Sequence, residues 1–188
     1  HPCGITRAKK RSTEVSRIIA SRPILDPIVM TSPSPQQFAG NPEFDAVFNG
    51  TLVSLLSWEQ LDRFWARLDP AGGWYLYAVG EARPLAPADT EYVSAFIREI
   101  DTLLRKEHHE DYCGIVYTDD PERPSLVKIY DPNHLGTSCG SGKQRILPGW
   151  VMSRMPPSDL SPSHHVPQNR RRWWQGFLDL IRGTEAAR

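Results

Sequence analysis

Cysteine is too scarce in this chain for a disulfide scaffold: Cys3, Cys113 and Cys139 are the only three in 188 residues. A chain of this length buries enough surface to fold without cross-links. No apolar run approaches the roughly 20 residues that cross a bilayer as a helix, and the N-terminal segment lacks the contiguous apolar core of a secretory signal. Net charge is absent as well, with 22 Lys and Arg balanced by 22 Asp and Glu, and no segment repeats. These absences exclude a cystine-rich fold, a helical membrane span and a solenoid. They leave one globular domain with reduced thiols, for which a cytoplasmic location is the simplest expectation. Import or processing of a basic leader stays open, and a start at His1 reads as a processed or truncated chain.

What is present is unevenly spread. Residues 1–22 carry six Lys and Arg against one acid, whereas residues 40–156 carry 11 against 17, a surplus of six negative charges. A negative core is a poor candidate for wrapping nucleic acid, because phosphate neutralisation needs clustered cations on a surface. Proline divides the chain. Each Pro removes a backbone donor, so the Ser-Pro-Ser-Pro run after Thr31 predicts an extended basic leader over residues 1–40. A second Pro/Ser stretch predicts a linker over 157–167. Between them lies a compact domain, 41–156, and beyond them a C-terminal amphipathic helix, 168–188.

Inside the compact domain, Ser57 with Gln60 forms a capping-box signature, and Trp58, Leu61, Phe64, Trp65 and Leu68 recur at helical spacing. That helix ends near Asp69–Gly73. Trp74 to Val79 is apolar on both parities and predicts a central strand buried on both faces. From Pro87 a long helix places Val93, Phe96, Ile97, Ile100, Leu103 and Leu104 on one face. Gly114–Thr118 and Leu126–Tyr130 flank a connector too short for a crossover, so they pair as an antiparallel hairpin. Trp150 to Met155 alternates as a further strand. The expected fold is α+β: a mixed, mostly antiparallel sheet, with a strand-helix-strand unit and two main helices packed on one face. The six Trp need no cofactor, since aromatic side chains supply large buried area to a core of this size.

One segment combines backbone permissiveness with reactive chemistry, the loop from Gly136 to Arg145. Its glycines allow N–H groups to converge on an anion or a partner to approach the main chain. Cys139 and Arg145 satisfy the Cys-x5-Arg spacing with which protein tyrosine phosphatases hold a thiolate beneath a phosphate. In those enzymes a His precedes the Cys and a helix follows the loop. Here Ser138 and Leu147-Pro148-Gly149 stand in those places. Counting back from Gly142-Lys143 puts Thr137 at the first glycine of a Walker loop, which excludes that route. Asp131, His134 and Cys139 have the residue types of an orienter, base and nucleophile, so a thiol hydrolase or transferase using them with Arg145 is an alternative reading.

Two further constellations carry chemistry. His108, His109 and Cys113, completed by Cys139, have zinc-compatible donors, although adjacent histidines on a helix diverge by about 100 degrees; His108 and His109 equally suit a helix C-terminus, where cations are stabilised. Glu110 with Asp111 and Asp119 with Asp120 read as turn acids. At the C-terminus, Arg170, Arg171 and Arg172 precede Trp173, Trp174 and Phe177. Cations at a helix entrance oppose its dipole. The aromatic face then serves either a protein partner, an anionic membrane surface, or the chain's own core, whose acids would receive the arginines.

The resulting expectation is a non-catalytic accessory or protein-interaction domain that needs no cofactor. Cys139, Gly140, Gly142, Lys143 and Arg145 recognise an anionic or main-chain group. Arg171, Arg172, Trp173, Trp174 and Phe177 recruit a partner. A thiol-dependent enzyme centred on Cys139 and a zinc-stabilised binding domain are the alternatives.

Overall fold

The computed structural model describes residues 40–134, 146–160 and 168–186. Within them the fold is α+β. Its elements are α1 (Pro42–Phe48), β1 (Val53–Leu55), α2 (Trp58–Arg67), β2 (Tyr75–Ala78), α3 (Thr90–Glu107), β3 (Val116–Thr118), β4 (Leu126–Ile129), β5 (Trp150–Ser153) and α4 (Gln168–Ala186). The five strands form one sheet in the order β1-β3-β4-β5-β2, and all four neighbouring pairs run antiparallel. The expected hairpin of β3 and β4 is present, as is the strand opening at Trp150. The strand-helix-strand unit is not parallel, because α3 carries the chain from the edge strand β2 to β3, near the opposite edge.

Local chemistry sets the helix ends. Ser57 accepts from the Gln60 amide while Gln60 reaches back to the Ser57 amide, the reciprocal cap expected for α2. Asp89, two residues after Pro87, accepts from the Tyr92 amide at 2.7 Å and so caps α3. Helix α1, absent from the sequence reading, is capped by Asn41 with Pro42 following it. Between α2 and β2 the chain turns at Gly73, whose φ of +74° is a conformation that a side chain disfavours.

Strand alternation gives the sheet two buried faces. One carries Leu55, Leu76, Ala78, Val116, Val127, Ile129, Trp150 and Met152, and packs with residues of α2, α3 and α4. Both main helices therefore lie on one face, as expected. The other face presents Tyr77, Leu126 and Val151 to Phe44 and Phe48 of α1 and to Met155 and Leu160. This second layer corrects the position of β2. It is buried on both faces, yet it is an edge strand, because burial of its faces comes from the helix layer on one side and from α1 and the 155–160 segment on the other, not from a second paired strand.

The linker expected over 157–167 is likewise structured where it is described. Asn41 donates from its amide to the Ser158 hydroxyl at 2.7 Å, Arg83 donates to the Pro157 carbonyl at 3.3 Å, and the Leu160 amide donates to the Tyr77 hydroxyl at 3.2 Å. Beneath α1, Lys128 is buried. Its Nζ donates to the Phe48 carbonyl at 2.6 Å and lies 3.7 Å from the Phe48 ring centroid, so the cation meets both a helix C-terminus and an aromatic face.

The β3–β4 turn depends on Asp119. Its Oδ1 accepts from the Ser125 and Leu126 amides at 3.0 and 2.9 Å, and its Oδ2 from the Ser125 hydroxyl at 2.5 Å. Burial alone would raise this carboxyl, but those hydrogen bonds outweigh it and hold the group below its ordinary value. A carboxylate depressed in the folded state contributes stability above its unfolded titration range, near pH 4, and loses it as pH falls through the lower folded value. Asp119→Ala is expected to cost about 2 kcal/mol in urea unfolding at neutral pH. The loss should shrink in acid below the ordinary aspartate range; an unchanged loss there would show that ionisation of Asp119 is irrelevant.

Candidate functional site

Because β4 and β5 are adjacent and antiparallel, residues 130–149 form the connection of a hairpin. Residues 135–145 fall outside the described residues, and with them Cys139, Gly140, Gly142, Lys143 and Arg145. The base of that connection is described. On the incoming side, Pro132–His134 form a single 3-10 turn, with the His134 side chain outside the described set. On the outgoing side, Gly149 donates to the Ile129 carbonyl at 2.9 Å and accepts from the Val79 amide at 3.0 Å, extending the ladder beyond β5. The segment from Ile146 to Gly149 leads into a strand. The helix that follows the thiolate loop in a phosphatase is therefore replaced here by β5.

Asp131 anchors the incoming stem. Its two oxygens each receive a hydrogen bond from Arg170, from Nη2 to Oδ1 and from Nε to Oδ2, both at 2.5 Å. The Asp131 oxygen Oδ1 also accepts from the Asn133 amide at 2.9 Å. The Arg170 side chain, 6% exposed, additionally pairs with Glu107 at the end of α3, and Asn133 donates to the same Glu107 oxygen at 2.6 Å. Above Trp150 the guanidinium carbon lies 5.6 Å from the ring. Burial by itself would lower the guanidinium pKa, but Asp131 and Glu107 outweigh it and raise it. The planar fork and two acids thus keep a buried cation charged. Asp131 is engaged through both oxygens by the Arg170 guanidinium, and the His134 side chain, which it was expected to orient, lies outside the described residues.

This arrangement accounts for the cations at the start of α4. Arg170 is held by Asp131 and Glu107, and Arg171 lies 3.3 Å from Glu81, so acids of the compact domain offset the unfavourable dipole. Arg172 is exposed. The aromatic residues assigned to partner anchoring are placed otherwise. Trp174 and Phe177 are 8% and 3% exposed and pack edge-on against Phe96, while half-buried Trp173 meets Trp150 at 5.2 Å between ring centroids. The apolar face that a partner or membrane surface was to receive is occupied by the chain's own core. A cation at a helix entrance was the sequence signal for the ion cluster; its acids, 39 and 63 residues away, carry no local mark.

The zinc-compatible residues are described in part. His108 is buried edge-on between Trp58 and Tyr112, His109 is exposed, and Cys113 is fully buried, with its thiol pushed up by desolvation. Cys139 lies outside the described residues. Among the described residues no three ligating side chains converge, and no helix is long and apolar enough to cross a membrane. No protein-family model, curated protein or solved structure matches the chain.

Arg170→Met leaves Asp131 buried beside an apolar side chain, so it is expected to lower unfolding free energy by about 3–5 kcal/mol. Asp131→Asn in that background removes the stranded charge and should recover part of the loss. Denaturant titration of the two variants measures the pair, and equal destabilisation of both would show that the carboxylate charge was never the cost.

Proposed function

We propose that the protein is a non-catalytic interaction domain whose β4–β5 connection grips an anionic or main-chain group on a protein partner. The observation that carries this reading is the clamped base of that connection. Its incoming stem is tied by Arg170 and Asn133 to α3 and α4, and its outgoing stem continues the sheet ladder. Such a base fixes both ends of the loop on regular elements, which is how rigid scaffolds present binding segments.

Cys139, Gly140, Gly142, Lys143 and Arg145 lie along the clamped connection. Lysine and arginine supply charge-assisted hydrogen bonds, and the glycines admit close main-chain approach. Activation of Cys139 as a nucleophile requires a device that lowers its pKa, such as a helix N-terminus or an adjacent imidazolium. The strand after the loop supplies no helix dipole. Binding therefore accounts for the residue types without a reaction, a metal or a cofactor.

Thiol reactivity tests the reading. Cys139 is expected to alkylate near neutral pH at the rate of a free cysteine or slower, without protection by phosphate or vanadate, while buried Cys113 reacts only on unfolding. Alkylation of Cys139 about a hundredfold faster than free cysteine, blocked by vanadate, would replace binding with thiol catalysis.

A further inference from the structure

The sheet has two edge strands, β2 and β1. Over the α1 face of β2 lies the chain's own 157–160 segment, which hydrogen-bonds the Tyr77 hydroxyl. At the other edge, β1 pairs with β3 alone, and among the described residues nothing pairs with its outer side. The stretch from Thr51 to Leu56 contains no charge and no proline, the devices that usually keep a free edge from pairing. Val53 is 46% and Leu56 62% exposed. Leu55 directs its carbonyl to the Gly114 amide, so strand alternation turns the backbone N–H and C=O of Ser54 outward. The Ser54 hydroxyl is buried and has no hydrogen-bond partner among the described residues.

Alongside this edge, a cleft of about 250 Å³ separates β1 from α2, lined by Ser54, Gln60, Arg63, Arg67 and Glu122 among others. Arg67 pairs with Glu122, and Arg63 forms no salt bridge among the described residues, its electrostatic partner on α2 being exposed Glu59. The side chains lining the cleft therefore carry two cations against one anion beside an uncharged strand. A second copy of the chain is a poor occupant. Isologous antiparallel pairing at β1 would bring the Arg63 and Arg67 side of α2 against the same side of its copy, cation to cation.

We propose that β1 is a docking strand for an extended acidic peptide segment of another protein, which adds a further strand to the sheet and turns its carboxylates towards Arg63 and Arg67. Main-chain hydrogen bonds to the Ser54 peptide groups supply affinity, and the two arginines select charge. This site does not involve the β4–β5 connection, so it stands or falls separately from the function proposed above.

The test uses the full chain and dye-labelled, end-capped peptides of alternating valine and glutamate, or valine and lysine, in fluorescence anisotropy. The glutamate peptide should bind at least about tenfold tighter than the lysine peptide, and Arg63→Glu should remove or invert that preference. Methylation of alternate backbone nitrogens of the peptide, which leaves the protein intact, should abolish binding. Equal binding of both peptides, undiminished binding of the methylated one, or a dimer in sedimentation that Val53→Lys dissociates would overturn the proposal.

Discussion

A guanidinium stays charged, so burial to 6% exposure is costly unless acids lie within reach, and Arg170 finds them on two separate elements, Asp131 after β4 and Glu107 at the end of α3. That requirement fixes where α4 begins. With its first turn held there, Trp174 and Phe177 fall against Phe96, and Trp173 against Trp150. The same contact fixes the stem of the β4–β5 connection. Packing of the last helix and positioning of the candidate loop are thus two consequences of one ion cluster.

The sheet beneath is a two-sided structure whose sides differ in kind. One side joins α2, α3 and α4 into the larger core; the other is a smaller layer in which α1 covers Tyr77, Leu126 and Val151. Lys128 marks the polar limit of that layer, its ammonium held by the Phe48 carbonyl and ring. Among the described residues, edge strand β1 pairs in the sheet with β3 alone. Its uncharged edge has the arginines of α2 beside it.

Elements with dense local signals were legible in the sequence. Ser57 and Gln60 announce α2, and the apolar face from Val93 to Leu104 announces α3, because caps and periodicity depend only on near neighbours. The β3–β4 hairpin was legible from its short connector. What depends on distant partners was not. Buried Tyr77 and Leu76 predict a central strand, yet β2 is an edge, since layers packed on its two faces bury it whether or not a second strand pairs with it. Helix α1 and strand β1 span seven and three residues, too few for periodicity, although Asn41-Pro42 is a helix-start signal that identifies α1. In the candidate site, the tension of arginines at a helix entrance was visible, whereas the pairing of Arg170 with Asp131 was set by tertiary geometry. The aromatics of α4 satisfy the core for the same reason: their spacing defines a face, and only packing decides what the face meets.

The ion cluster joins α4, the stem of the connection and the sheet into one cooperative unit, which native-state hydrogen exchange measures directly. Amides in the middle of α4 are expected to open with the same free energy and denaturant dependence as those of β4 and β5. Exchange of α4 through a separate, low-energy opening that leaves β4 and β5 protected would contradict it.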